Sequence, residues 1–194
     1  MNRTVWIIIA LAAIGLFVFS GINTVPRLDE KVNASWAEVQ NQYQRRMDLI
    51  PNLVETVKGY ANFEQKTLVD VINARANASK VTLNTDQLSD PEAVKKFEAA
   101  QGNVSSALSR LMVVVEKYPD LKADQNFLAL QSQLEGTENR ITIARKDYIE
   151  SVQEYNTTVR TFPGRIWAMI YGAAKPKATF VATEGADRPP AVKF

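Results

Sequence analysis

The chain has neither histidine nor cysteine, so any acid–base or nucleophilic chemistry would have to come from carboxylates, lysines, hydroxyls or tyrosines. Disulfides, thiolate zinc sites and Ser-His-Asp triads are excluded with them. The best-placed acids are Glu64 and the pair Glu135 and Glu138, which stand three apart on a predicted helix with Arg140 and Arg145 nearby to neutralise them. Acids at that spacing are also what a solvated helical face ordinarily carries, tied up in weak intrahelical ion pairs. There is no Gly-rich phosphate loop and no Asp-rich calcium loop. The expectation is a protein that is not an enzyme and needs no cofactor or metal, with a carboxylate-based enzyme as the remote alternative. A net charge of +2 gives no basic stripe for nucleic acid.

The most unusual polar stretch runs from Arg45 to Val54, where a double arginine, an acid and a proline–asparagine pair interrupt a helical pattern. Two readings fit. In the structural one, Asp48 caps a turn opened by Pro51, and Arg46, which falls on the apolar seam, must find a carboxylate inside the fold. In the functional one, Arg45, Arg46, Asp48, Pro51 and Asn52 form an interaction patch at a kink that a partner recognises.

Four helices are needed to carry these groups. Phe127, Leu134, Ile141, Tyr148, Tyr155 and Phe162 fall seven apart, with Leu130, Thr137, Ala144, Ser151 and Thr158 between them. Val94, Gln101, Leu108 and Val115 repeat the spacing beside Phe97, Val104, Leu111 and Tyr118. Trp36, Tyr43, Ile50 and Val57 do so again with Val39, Arg46, Leu53 and Tyr60. Such seams mark packed helices. A shorter stretch places Leu68, Ile72 and Arg75 or Ala76 on one side. Gly59 ends the first helix, Asn62 with Gln65 resembles a capping box, Thr82–Asp90 reads as a polar loop, Asp90-Pro91 as a cap with proline at the first helical position, and Tyr118-Pro119 as a stop. Pro51 either kinks the first helix or opens another. The predicted architecture is all-α, an antiparallel four-helix bundle with helices at 27–58, 62–80, 91–117 and 122–161. An open intermolecular coiled coil is the competing fold.

Residues 1–26 are read as an N-terminal transmembrane helix, residues 27–161 as the bundle domain, and residues 162–194 as an aromatic segment with an extended tail. No Asp, Glu, Lys or Arg occurs from Thr4 to Pro26, and a helix spans a bilayer core with about 20 apolar residues. A cleaved signal peptide is the alternative, although its apolar core is usually shorter, roughly 7–15 residues. Arg3 on one side and Arg27 with Lys31 on the other nearly tie under the positive-inside rule, and we place the body outside the cytoplasm. In the tail, Arg165, Ile166, Trp167, Ile170, Tyr171 and Lys175 are candidates for the membrane interface, where aromatic rings and basic flanks are favoured. The other reading is that this segment staples the tail onto the bundle. Pro176, Pro189 and Pro190 keep the end extended.

The stretch Arg45 to Val54, continuing through Glu55-Thr56-Val57-Lys58-Gly59-Tyr60-Ala61, resembles the signature of the LemA family, bacterial membrane proteins with one N-terminal helix and a helical bundle. The steps Ala74-Arg75-Ala76, Glu116 to Ala123, Phe127 with Leu130-Gln131, Glu138 to Ile141, Arg145 with Tyr148, Tyr155-Asn156, Phe162-Pro163 and the ending Pro190, Val192, Phe194 extend the likeness over most of the chain from Val25. Two positions depart from it. Phe63-Glu64 stands where the family commonly has His-Glu, and Tyr148-Ile149 where it has Tyr-Asn, so no role is carried over to those positions. The resemblance implies a single-pass protein of the bacterial cytoplasmic (inner) membrane. It brings no established reaction, and its members are associated with membrane proteases and other envelope proteins, one branch with magnetosome membranes. The expected function is a non-catalytic scaffold or adaptor whose partners are the lipid bilayer and other envelope proteins. A self-assembling homo-oligomer of the membrane surface is the alternative.

Overall fold

Apolar residues three and four apart, punctuated by few glycines, give a chain whose described regular structure is helical throughout. The computed structural model describes residues 3–60, 64–172 and 174–180, with the side chains of residues 3, 14 and 18–20 outside it. In order come α1 (Arg3–Gly21), α2 (Thr24–Lys58), α3 (Gln65–Ala78), a 3-10 turn (Thr85–Ser89), α4 (Pro91–Val115), the short α5 (Pro119–Lys122), α6 (Gln125–Arg160) and α7 (Gly164–Ile170). The chain divides into two compact units, Met1–Asp48 with Ser132–Lys177, and Leu49–Gln131 with Ala178–Phe194.

In the first unit α2 and α6 pair antiparallel. Lys31 meets Glu154 at 2.6 Å, Ser35 meets Ser151 at 2.6 Å, the Trp36 and Tyr148 rings stand 5.3 Å apart, and Arg46 reaches Glu138 at 2.7 Å. Partner numbers fall as those of α2 rise, which fixes the register. The seam is built as the heptads require: Val32, Trp36, Val39 and Tyr43 from α2 and Leu134, Ile141, Tyr148 and Tyr155 from α6 are buried. Burying each such side chain contributes roughly 1.5–3 kcal/mol. Thr137, Ala144 and Ser151 are buried between them and are small enough to let the helices approach closely. The repeat stops short of Phe162, which is exposed because α6 ends at Arg160.

The second unit contains the end of α2, the start of α6, and α3 to α5. α4 buries Val94, Phe97, Gln101, Val104, Leu108, Leu111 and Val115, the face its spacing predicts. Asp90 Oδ1 accepts from the Glu92 N–H at 2.9 Å ahead of Pro91, so the predicted cap is present. Asp124 caps α6 in the same way, accepting the Phe127 N–H at 2.9 Å, while its second oxygen accepts the Tyr60 hydroxyl at 2.8 Å. The Ala178 N–H donates to the Leu88 carbonyl at 2.7 Å.

Several expectations need correction. α2 runs unbroken through Pro51, which overturns the reading in which Pro51 opens a new helix. A proline removes one N–H but leaves the apolar pattern intact, and Ile50, Leu53 and Val54 remain buried around it. Asp48 therefore caps nothing and accepts from the Gln44 amide at 2.7 Å, one helical turn earlier. α3 starts at Gln65 with Glu64 at the cap position and no side-chain cap bond, and Asn62 lies outside the described residues. Its inner face is Thr67, Leu68, Val71 and Ala78, while Ile72 is exposed. The supposed polar loop holds a 3-10 turn closed by an Asn84–Gln87 capping box, with Leu83 and Leu88 buried.

Among the described residues, no helix is long and apolar enough to cross a membrane. α1 is a 19-residue helix, and Val5, Trp6, Ile7, Ile8, Ile9, Leu11, Leu16 and Phe17 along it are exposed.

Candidate membrane-interface site

The end of α1, the end of α6 and the start of α7 meet in the first unit. Two glycines make this possible. A Cβ on Gly21 would stand 2.2 Å from the Trp167 indole nitrogen, and one on Gly164 would stand 2.2 Å from the Thr158 carbonyl oxygen. Phe17 stacks 6.4 Å from Phe162 and lies 5.4 Å from Trp167. Together with Thr24, Thr161 and Pro163 these residues line a cleft of about 300 Å³. Its walls are aromatic rings, threonines and bare glycine backbone, with no charged residue among them. Three threonine hydroxyls are polar side-chain groups among these lining residues, beside the Trp167 indole N–H.

The six candidate interface residues do not act alike. Trp167 is buried against Phe17 and faces inward. Ile166, Ile170 and Tyr171 are exposed, as are Arg165 and Lys175. Phe162 and Met169 join this outer face, at 75% and 62% exposure. α7 is thus amphipathic within seven residues: Gly164, Trp167 and Ala168 pack inward, and a row of apolar side chains flanked by two cations looks out. The inward face packs on the protein as the stapling reading expects, and the outer face is exposed.

The α2 cluster is divided between the two units, and one of its members is buried. Arg46 is buried and extends its guanidinium to Glu138, with the Tyr43 ring 5.1 Å away. Arg45 and Asp48 are exposed in the first unit, and Pro51 and Asn52 are exposed in the second. Of the three acids considered for chemistry, Glu138 pairs with Arg46 of α2. Arg145 donates to the Tyr43 hydroxyl at 3.4 Å. Burial raises the Tyr43 pKa, opposed by Arg145 and then Arg46. Among the described residues, no three Asp or Glu side chains gather as a metal cage.

One cluster had no signal in the sequence. Asn156 on α6 donates its amide to the Lys177 carbonyl and accepts the Lys177 N–H, both at 2.8 Å. The Lys177 ammonium meets Asp29 at 2.8 Å and lies 5.5 Å from the centre of the Tyr155 ring. These groups come from α2, α6 and the tail, and no local spacing connects them.

A sequence model described as the LemA family matches residues 35–194. α1 and the first turns of α2 precede that match. Protein LemA of Metamycoplasma hominis is 23% identical over 165 residues, covering 84% of this chain and 71% of the relative. Magnetosome protein MamQ 2 of Paramagnetospirillum magneticum is 25% identical over 166 residues, covering 77% of this chain and 61% of the relative. Magnetosome protein MamQ of Magnetospirillum gryphiswaldense is 25% identical over 181 residues, covering 85% and 66%. This chain spans less than two thirds of either magnetosome relative's length.

Proposed function

Because the chain belongs to the LemA family, we propose that it is a membrane-bound, non-catalytic scaffold that enters the bilayer once through α1 and binds other envelope proteins through its helical body. The observation that supports this reading is the exposed apolar side chains of α1 and of the outer face of α7, with Phe17 stacked on Phe162 ahead of α7 and Arg165 and Lys175 at the flanks. At 19 residues, α1 rises about 28 Å, short of the ~30 Å of a hydrocarbon core, so its insertion is inferred from its exposed apolar side chains and not from its length. Insertion leaves Arg3 at one face and the start of α2 at the other. α7, packed through its Trp167 on Phe17 and Gly21 of α1, then sits at headgroup depth with Arg165 and Lys175 toward anionic lipid. The relatives named as magnetosome proteins favour a membrane setting. The body lies on the extracytoplasmic side of a bacterial inner membrane in this reading, and the exposed Arg45 and Asp48 of the first unit are offered to partners.

The test has two parts. Tagged full-length protein should remain with membranes through an alkaline carbonate wash, and complete release would overturn the anchor. Crosslinking in cells followed by purification should recover a specific envelope protein, and Arg45→Glu should weaken that recovery. Recovery of this chain alone would replace the scaffold with a self-assembling protein.

A further inference from the structure

The tail contact at Lys177 has the form of a peptide-recognition site. Asn156 satisfies both backbone groups of one extended residue, and Asp29 with Tyr155 accepts that residue's ammonium. The two parts divide the work of recognition. A side-chain amide that pairs with both N–H and C=O holds any extended backbone and is indifferent to sequence. A carboxylate with an aromatic face selects a cation. Only 8% of the Lys177 side chain remains exposed against 40% of Asp29, so the ammonium is buried while its counter-charge is partly solvated and the pair is screened only in part. The preceding Lys175 and Pro176 are exposed, and within the first unit the segment is tied by the Ala174 N–H, which donates to the Ala168 carbonyl at 3.3 Å, as well as by Lys177.

We propose that Asp29, Tyr155 and Asn156 form a binding site for an extended, lysine-bearing segment of a partner protein, occupied in the free molecule by the chain's own Lys177. A partner segment engages by replacing the tail, and the tail sets the threshold for that engagement. This deepens the scaffold reading and depends on it for the partner's being an envelope protein; the site itself stands on its geometry.

The probe is a labelled synthetic peptide of residues 174–180, added to full-length protein in detergent. Wild-type protein should bind it weakly, because the tethered tail competes at an effective concentration in the millimolar range. Lys177→Ala removes the tail's ammonium from Asp29 and Tyr155 and leaves only its backbone on Asn156, a weaker competitor for the probe, so binding should tighten about tenfold. Asn156→Ala in that background should abolish the gain, as should a peptide with alanine in place of its second lysine. Equal binding by wild type and Lys177→Ala, or equal binding of both peptides, would overturn the proposal. If Lys177→Ala does not fold, excess peptide should still accelerate hydrogen exchange at the Lys177 amide of the wild-type chain, and unchanged exchange would overturn it. A peptide-induced switch from monomer to a linked species would identify a second copy of this tail as the partner. None of these readouts depends on membrane insertion, which the carbonate wash tests separately.

Discussion

The Arg46 guanidinium lies 2.7 Å from Glu138, yet the two residues live in different solvents: the arginine side chain is 1% exposed and the carboxylate 41%. The cation is therefore buried, and its counter-charge is placed at the rim. Removing the rim partner strands a charge inside. Glu138→Ala should cost about 2 kcal/mol, below the 3–5 of a wholly buried pair because Glu138 is partly solvated. Arg46→Met with Glu138→Ala should recover most of that loss. Denaturant midpoints for the four members of the cycle check the prediction, and additive losses would remove the pair as the cause.

Asp124 gives a pH dependence with a defined sign. The Phe127 N–H and then the Tyr60 hydroxyl hold its pKa below the ordinary 3.8. The native state therefore binds fewer protons than the unfolded one near that value, and stability present above it is lost as pH falls through the depressed native pKa. Asp124→Asn should be less stable at neutral pH and should lose less between pH 5 and pH 2 than wild type, roughly the window set by an unfolded carboxylate. Tyr60→Phe should keep part of the effect, since the N–H bond remains. At the alkaline end the same bond raises the Tyr60 pKa, so its contribution is present below 10.0 and lost as pH rises through the raised value. Thermal melts across both ranges measure these slopes.

Gly164 and Gly21 separate two kinds of close approach. At Gly164 the obstacle is the Thr158 backbone carbonyl, and at Gly21 it is the Trp167 ring. Gly164→Ala should destabilise by about 1–3 kcal/mol, the usual range for overpacking. Gly21→Ala should instead displace the indole, read as a shift of the Trp167 resonance in 5-fluorotryptophan-labelled protein. An unmoved resonance would contradict the contact.

The chain contains no cysteine, so single labels can be placed without background. Ile170→Cys carrying an environment-sensitive fluorophore should be quenched by brominated lipids in reconstituted vesicles. Arg165→Glu with Lys175→Glu should reduce that quenching on anionic vesicles, by about 1 kcal/mol of surface attraction for each cation removed. Neutral vesicles should show little of the difference. Quenching absent in both would confine α7 to packing on the protein.

How far the sequence could be read depended on the range of the determinant. Seams that repeat along one helix were legible: the a positions from Phe127 to Tyr155 are all buried. So was the cap at Asp90, where partner and donor stand two residues apart. That Arg46 needed a carboxylate followed from its place on the seam, but choosing Glu138 required the register of α2 on α6. Pro51 was ambiguous because its local cost competes with burial of its neighbours, and burial prevailed. Leu83 and Leu88 were hidden in a polar stretch too short to show a period. The Asn156–Lys177 clamp joins single residues from distant segments, and no pattern announces it.

The α2–α6 pairing also has a consequence in time. Its contacts join residues 92, 116 and 123 apart in the chain. During synthesis at 5–20 residues per second, the partner of Lys31 appears on the order of ten seconds after it. Trp36, Tyr43 and Val39 must wait uncovered through that interval, while α3 and α4, neighbours in sequence, can close on each other early. The nascent chain thus presents an apolar stripe directly after α1, at the moment when α1 itself is leaving the ribosome. Chaperone or insertase contact in vivo should therefore concentrate on residues 25–47 and end only when α6 has been made.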